Sequence, residues 1–178
     1  MPSQPPRRLR FSAAMSLDGF IAGPKGEYDW IPQDPTFDFG ALFRQFDTIV
    51  MGRRTYDAML AQRHSASEFG MRVFVVSTTL RPIQHPEISI LRFKVAEAIA
   101  ELKEEEGKDI WLFGGGVLFR SLLDEGLVDT VELSVVPVLL GDGIRLLPKG
   151  RSWPLRYVQS KVLRSGILTI SYDVSQAS

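Results

Sequence analysis

Between residues 8 and 123 short apolar runs alternate with helix-length amphipathic segments, and from residue 128 onward only strand-like runs follow. That alternation constrains the chain more than any other feature. Parallel strands need crossover helices, whereas a strands-only end closes through antiparallel hairpins. The expected fold is therefore α/β, a mixed and mostly parallel sheet with helices on both faces. Residues 8–14, 48–51, 72–77, 88–91 and 109–113 read as strands of the alternating part. Phe39, Leu42, Phe43 and Phe46 stand at i, i+3, i+4 and i+7 and predict one face of a helix opening near Asp38. Further helices are expected over 54–61, around Val95, Ile99 and Leu102 until Gly107 stops the run, and over 117–123. Asp142-Gly143 and Ser165-Gly166 are expected to turn two hairpins, and beyond the second Leu168, Ile170, Tyr172 and Val174 alternate as in a half-buried strand.

A chain of 178 residues with 44% apolar and 24% charged side chains can bury one core, so a single domain over 7–178 behind a frayed tail over 1–6 is expected. With no cysteine there is no disulfide, thiolate metal site or cysteine nucleophile. His64 and His85 are too few for a multi-histidine metal centre, so no metal site is expected. Twenty-one basic against 21 acidic side chains remove the bulk electrostatic case for nucleic acid or an anionic membrane. No apolar stretch suits a signal peptide or a bilayer span, which makes a cytoplasmic protein the default expectation.

Gly114-Gly115-Gly116 follows a strand and opens a helix. There the unpaired N–H groups and the helix dipole favour an anion, and missing Cβ atoms let a phosphate approach. One glycine would serve a tight turn; three in a row favour phosphate binding. Phe119 stands where a Rossmann fingerprint has its third glycine, which disfavours that fold. Gly52-Arg53-Arg54-Thr55 also lies between a strand and a helix. Two arginines in a first helical turn oppose the dipole unless an anion sits there, and their forked guanidinium groups suit a phosphate monoester. Two anion sites suggest one elongated ligand with several phosphates, a description that NADP fits. The loop from Met15 to Trp30 mixes glycines, Asp18 and aromatics as a lid or substrate loop would. Asp18-Gly19 can equally be a plain turn, and Asp38 either a helix N-cap or a pocket residue.

Three segments, MSLDGFIAG, DTIVMGRRTY and DIWLFGGGVLFRSLLDEGLVDTVELSVVPVLLGDG, resemble the dihydrofolate reductase-like superfamily. Within it the chain is most similar to the bifunctional deaminase-reductase C-terminal domain family, the reductase of riboflavin biosynthesis, in stand-alone form. The resemblance implies a three-layer α/β/α sandwich and an NADPH-dependent reductase of a small pterin- or aminopyrimidine-type heterocycle. Its models are 5-amino-6-(5-phosphoribosylamino)uracil reductase and dihydrofolate reductase. A non-catalytic NADP(H)-binding sensor or interaction module on the same fold is the alternative. The resemblance puts Gly52, Arg53, Arg54 and Thr55 on the adenosine phosphates, and Ser77 and Thr78 beside the adenine ribose. It puts Gly114, Gly115, Gly116, Val117, Leu118 and Phe119 on the pyrophosphate, with Ala14, Ile21 and Ala22 bordering the nicotinamide. Phe113 departs from the pattern, because riboflavin reductases tend to carry an acid there. Asp34 and Asp38 compete for the position of the dihydrofolate reductase carboxylate.

A carboxyl group near the substrate ring would ease hydride addition to a C=N bond. Asp38, expected to be partly enclosed by the pocket residues Trp30 and Phe37 and so raised in pKa by desolvation, is the favoured proton source. Asp18 is expected to position the loop and the substrate. A homodimer is also expected, because Val131, Leu133 and Val135 on one side, and Val136, Val138 and Leu140 after it, form apolar surfaces at the antiparallel edge.

Overall fold

The computed structural model describes residues 6–175, so all of the expected tail except Pro6 lies outside the described residues. In chain order the elements begin with β1 (Leu9–Ser16), β2 (Phe20–Ala22), α1 (Phe39–Phe43), β3 (Phe46–Gly52), α2 (Arg53–Ala61), β4 (Arg72–Val76) and β5 (Ser89–Leu91). They continue with α3 (Val95–Glu104), β6 (Asp109–Gly114), α4 (Gly116–Asp124), β7 (Thr130–Val136), β8 (Ile144–Arg145), β9 (Leu155–Val162) and β10 (Leu168–Val174). Eight strands form one sheet in the order β5-β4-β3-β6-β1-β7-β10-β9, while β2 and β8 pair in a ribbon of their own. Neighbours from β5 to β7 are all parallel, and β10 runs against both of its neighbours. This is the mixed, mostly parallel α/β sheet the alternation predicts.

Strand periodicity sorts the side chains into two helix layers. Leu9, Phe11, Val50, Ile110 and Leu112 point into a core with Ile99 and Leu102 of α3 and Leu118, Phe119, Leu122 and Leu123 of α4. Ile49, Met51, Val73, Val75 and Trp111 point the other way, towards Tyr56 and Met59 of α2. The odd and even positions of β6 thus serve opposite cores, as a strand covered on both faces requires. At the amino ends of the strands Arg7, 3% exposed, bonds to Asp47, to Thr48 Oγ1 at 2.7 Å and to the carbonyl of Leu102 at 3.3 Å. That clamp closes the end of the sheet away from the glycine-rich turns.

Two expected elements differ in the structure. The first helix ends after five residues, and Phe46 belongs to β3 instead. Phe46 is buried against Trp111 of β6 with ring centroids 5.3 Å apart, so burial across the sheet outweighs the helical spacing of Phe39, Leu42 and Phe43. Asp142-Gly143 turns no hairpin between neighbouring strands. The segment after it leaves the main sheet as β8 and pairs with β2. It is held there by Leu17 N–H on the Val138 carbonyl at 2.9 Å and Leu146 N–H on the Gly19 carbonyl at 3.0 Å. Ser165-Gly166 does turn the β9–β10 hairpin.

Candidate active site

β3 leads through α2 to β4 on one side, whereas β6 leads through α4 to β7 on the other. Between the carboxyl ends of β3 and β6 the chain therefore diverges, which is where open α/β sheets bind ligands. Met51 pairs with Gly114, so the two helix starts that follow are neighbours. A Cβ on Gly52 would lie 3.8 Å from the Gly114 oxygen and the Gly115 nitrogen, and one on Gly115 would lie 3.3 Å from Thr55 Oγ1. Gly52 caps α2 and Gly115 caps α4, and neither offers a side-chain acceptor. The first-turn N–H groups of residues 53–55 and 116–118 are left for an outside anion. Two motifs read separately in the sequence are one continuous cradle.

The three glycines do different work. Gly114 has φ +135, a conformation reserved for glycine, and its bond to Gly115 is cis. Gly116 is packed, because a Cβ there would come 2.6 Å from the Leu146 carbonyl oxygen and 3.0 Å from that of Arg145. Gly115 has an ordinary φ of −93 and faces the cradle. Of the three expected phosphate glycines, Gly116 owes its missing Cβ to the close passage of residues 145–146, while its N–H remains part of the cradle.

Other expected cofactor residues divide in the same way. Leu118 and Phe119 are buried in the core, where Phe119 stacks on Phe11 with centroids 3.8 Å apart. The Phe119 N–H already bonds the Gly115 carbonyl, so Phe119 offers the cradle nothing. Val117 is 74% exposed beside it. Arg53 Nε lies 2.7 Å from both Asp57 oxygens and its Nη1 donates to Thr79 Oγ1 at 3.1 Å, so its fork is partly engaged. Arg54 is exposed and has no ion-pair partner among the described residues. Ser77 Oγ accepts from the N–H groups of Thr79 and Leu80 at 3.2 and 3.1 Å, capping the turn after β4 and leaving Thr78 as the exposed hydroxyl.

Next to the cradle lies β1, the central strand, paired on both sides. Central strands are normally the most covered, yet residues 12–15 of β1 and 132–135 of β7 are only half-buried. Ala14 pairs with Ser134 and Ser12 with Glu132, giving an open floor of mostly small side chains. Ile21 and Ala22 belong to β2, which the loop holds against β8 beside this floor. One wall is aromatic: Phe43 lies 5.5 Å from Trp111, which lies 5.1 Å from Phe113, and Phe113 lies 5.6 Å from Phe69.

The carboxylates depart most from expectation. Asp38 is the N-cap of α1, accepting from Ala41 N–H at 2.8 Å, and its side chain is 68% exposed. Trp30 and Phe37 pack instead on Val136, Leu163 and Ile167, so they leave Asp38 open to solvent rather than enclosed. Asp18 accepts from Ser16 Oγ at 2.7 Å, Gly141 N–H at 2.7 Å and Leu140 N–H at 3.1 Å. Those bonds, the Ser16 hydroxyl foremost, pull its pKa from 3.8 to about 2. It is an anionic tether for the loop, and Ser16 Oγ also accepts from Phe20 N–H. Asp34 is lowered as well, by hydrogen bonds from Ser165 and then Thr36, and ties residues 34–37 to the β9–β10 turn. Sequence reasoning passed over Glu132 and Arg10, which face the same floor and interact with each other. Their alternation with Ser12 and Ser134 was readable, but their pairing needs the β1–β7 register. Among the described residues no group of three or more potential metal ligands converges, and no helix is long and apolar enough to cross a membrane.

The RibD C-terminal domain family matches residues 7–169. The uncharacterised protein YyaP of Bacillus subtilis (strain 168) is 34% identical over 179 residues, spanning 93% of this chain and 94% of that protein. A putative riboflavin biosynthesis protein from Shewanella sp. PV-4 superposes with a TM-score of 0.81 at 28% identity, over 95% of this chain and 99% of that one. Dihydrofolate reductase from Enterococcus faecalis, solved with NADP(H) and RAB-propyl, shares the fold with a TM-score of 0.69 at 19% identity, over 95% and 97% of the two chains.

Proposed function

The chain belongs to the RibD C-terminal domain family, of dihydrofolate reductase-like fold, and from that premise we propose that it is an NADPH-dependent reductase of a small planar heterocycle. One observation carries this reading: two capless helix starts meet at the divergence of β3 and β6, beside the uncovered half of the central strand. The cradle fits a dinucleotide because Gly115 leaves backbone N–H groups approachable and Thr55 Oγ1 borders them. The N–H groups of residues 53–55 and 116–118 would hold the phosphates and Arg54 an added 2′-phosphate. Ala14 would border the nicotinamide, and NADPH would supply a hydride there. The protein's part is to orient the substrate ring on the small floor and to shield it with the tethered loop. Asp18 and Asp34 are spent as anionic tethers and Asp38 as an exposed cap, so the proton falls to solvent at the open side of the cleft.

Titration with NADPH and NADH, followed by NADPH oxidation with pterins and aminopyrimidines, tests this. Binding with turnover is expected. Failure to bind NADPH overturns the reading, and binding without any turnover replaces it with an NADP(H) sensor.

A homodimer belongs to the same proposal. Among the described residues no helix covers β9, which is exposed along its whole length. Val135, Leu168 and Val162 form one cross-strand row, and Tyr172 with Tyr157, and Val174 with Leu155, extend the same apolar face. Arg156, Lys161 and Asp173 lie on the opposite face. An uncharged, self-complementary face suits a second copy of this chain. Light scattering should give a dimer mass and Val162→Lys a monomer; a wild-type monomer at micromolar concentration refutes it.

A further inference from the structure

Val135, Leu168 and Val162 form the cross-strand row on which a second copy would sit. Their chain neighbours Val136, Ile167 and Leu163 turn to the other side of the same three strands, as strand alternation requires, and cluster there. The contrast is clearest at the edge, where Val162 is 67% exposed and Leu163 only 7%. Trp30, Ile31 and Phe37 of the loop before α1 pack on that inner cluster. This end of the sheet is therefore a plate one strand layer thick. One side carries a bare apolar row, and the other side is the seat of residues 30–37.

That seat supports the aromatic wall of the cleft. From Phe37 a chain of ring contacts runs to Phe39 at 4.5 Å, on to Phe43 at 6.4 Å and then to Trp111 at 5.5 Å. α1 buries none of its own residues, so its place depends on the segment that leads into it. Asp34, itself 7% exposed, fastens that segment. Its Oδ1 accepts from Thr36 N–H at 2.7 Å, within the segment, and its Oδ2 accepts from Ser165 N–H at 2.7 Å, in the β9–β10 turn. β9 is an edge strand, paired on one side only and exposed along its length. An edge hairpin with an uncovered apolar face opens more readily than strands held between two layers. Opening this hairpin displaces Leu163 and Ser165 together, and with them both the seat and the anchor of residues 30–37.

We propose that a second copy of the chain, by covering Val135, Leu168 and Val162, holds the β9–β10 turn in place and thereby completes the aromatic side of the cleft, with Asp34 as the positioning residue that carries the effect to residues 30–43. The proposal rests on the homodimer reading above and says what the dimer does for the site. The effect needs no partner side chain in the cleft. A lone subunit keeps the same residues there but holds Phe37, Phe39 and Phe43 loosely.

Hydrogen exchange of the full chain, read over residues 30–43 with β1, β3 and β6 as internal controls, tests this alongside light scattering. Val162→Lys charges an exposed position of the apolar row and should give a monomer. Its amides over 30–43 should exchange at least tenfold faster than in wild type, with the controls within twofold. Asp34→Asn keeps the side-chain volume but turns an NH2 group towards one of the two N–H donors. It should loosen the same residues in a protein that is still a dimer. Because both variants act through one anchor, the double variant should exchange over 30–43 no more than twofold faster than the faster single variant. A monomeric Val162→Lys with wild-type exchange over 30–43 overturns the proposal, as does multiplied acceleration in the double variant. Faster exchange in the controls as well makes Asp34 a plain stability residue and overturns it too. Wild-type protein that scatters as a monomer at micromolar concentration refutes the dimer itself and the coupling with it, so the two failures are told apart by mass.

Discussion

Replacing each glycine of the 114–116 run by alanine separates three physical roles that the sequence presents as one. At Gly115 the backbone already has φ −93, which alanine adopts freely, and the new methyl would meet only Thr55 Oγ1 at 3.3 Å. Gly115 is the N-cap of α4, where alanine caps less well than glycine, so stability should fall by about 1 kcal/mol. The methyl would also stand between the two helix starts, where a phosphate must reach the N–H groups. NADPH affinity should fall at least tenfold, or about 1.4 kcal/mol. Gly116→Ala drives a Cβ to 2.6 Å from a backbone carbonyl that cannot swing aside like a side chain. Overpacking of this kind costs about 1–3 kcal/mol, and for a chain of this size each kcal/mol shifts Tm by about 2–4 °C. Gly114→Ala adds backbone strain at φ +135, again about 1–3 kcal/mol. Thermal melts paired with fluorescence titration of NADPH read both quantities for each variant. Gly115→Ala that keeps wild-type NADPH affinity would refute the cradle. Gly116→Ala that keeps wild-type Tm would refute the packing explanation.

Arg54→Ala should lower NADPH affinity about tenfold and leave NADH affinity unchanged, whereas Arg53→Ala does less because Asp57 already engages its fork; parallel titrations with both cofactors decide this. Asp38→Asn should leave turnover and Tm alike unchanged, since the side chain is an exposed cap and asparagine caps as well as aspartate; steady-state kinetics and a melt check it. The Asp18 tether has a folded pKa depressed to about 2 from 3.8, so it is fully formed above pH about 4 and lost as pH falls towards 2. Pepsin should therefore begin to cut residues 138–146 across that window, and in Asp18→Ala already at pH about 4. Phe119→Leu should lower Tm with NADPH affinity intact, because the ring belongs to the Phe11 stack; a cofactor contact would show the reverse.

The amino-acid sequence alone determined the elements whose periodicity answers to local burial. The unbroken apolar run Ile110, Trp111, Leu112 and Phe113 already states that β6 is covered on two faces, and the glycines at 52 and 114–116 mark turns from strand to helix. It also carried the family resemblance, which lies in contiguous motifs. Only the tertiary structure decided which glycine is packed and which is open, since the Leu146 carbonyl that crowds Gly116 comes from a distant segment. The same holds for the acids. Asp18 and Asp34 owe their depressed pKa values to N–H and hydroxyl groups, among them those of residues 140, 141 and 165, and no local pattern around either aspartate announces those partners. Phe46 left its helical row because Trp111 waited across the sheet, and Glu132 met Arg10 because β1 and β7, far apart in sequence, lie side by side. Local propensity is written residue by residue, but a partner's identity depends on register and crossover, and those are settled only when the whole sheet closes its core.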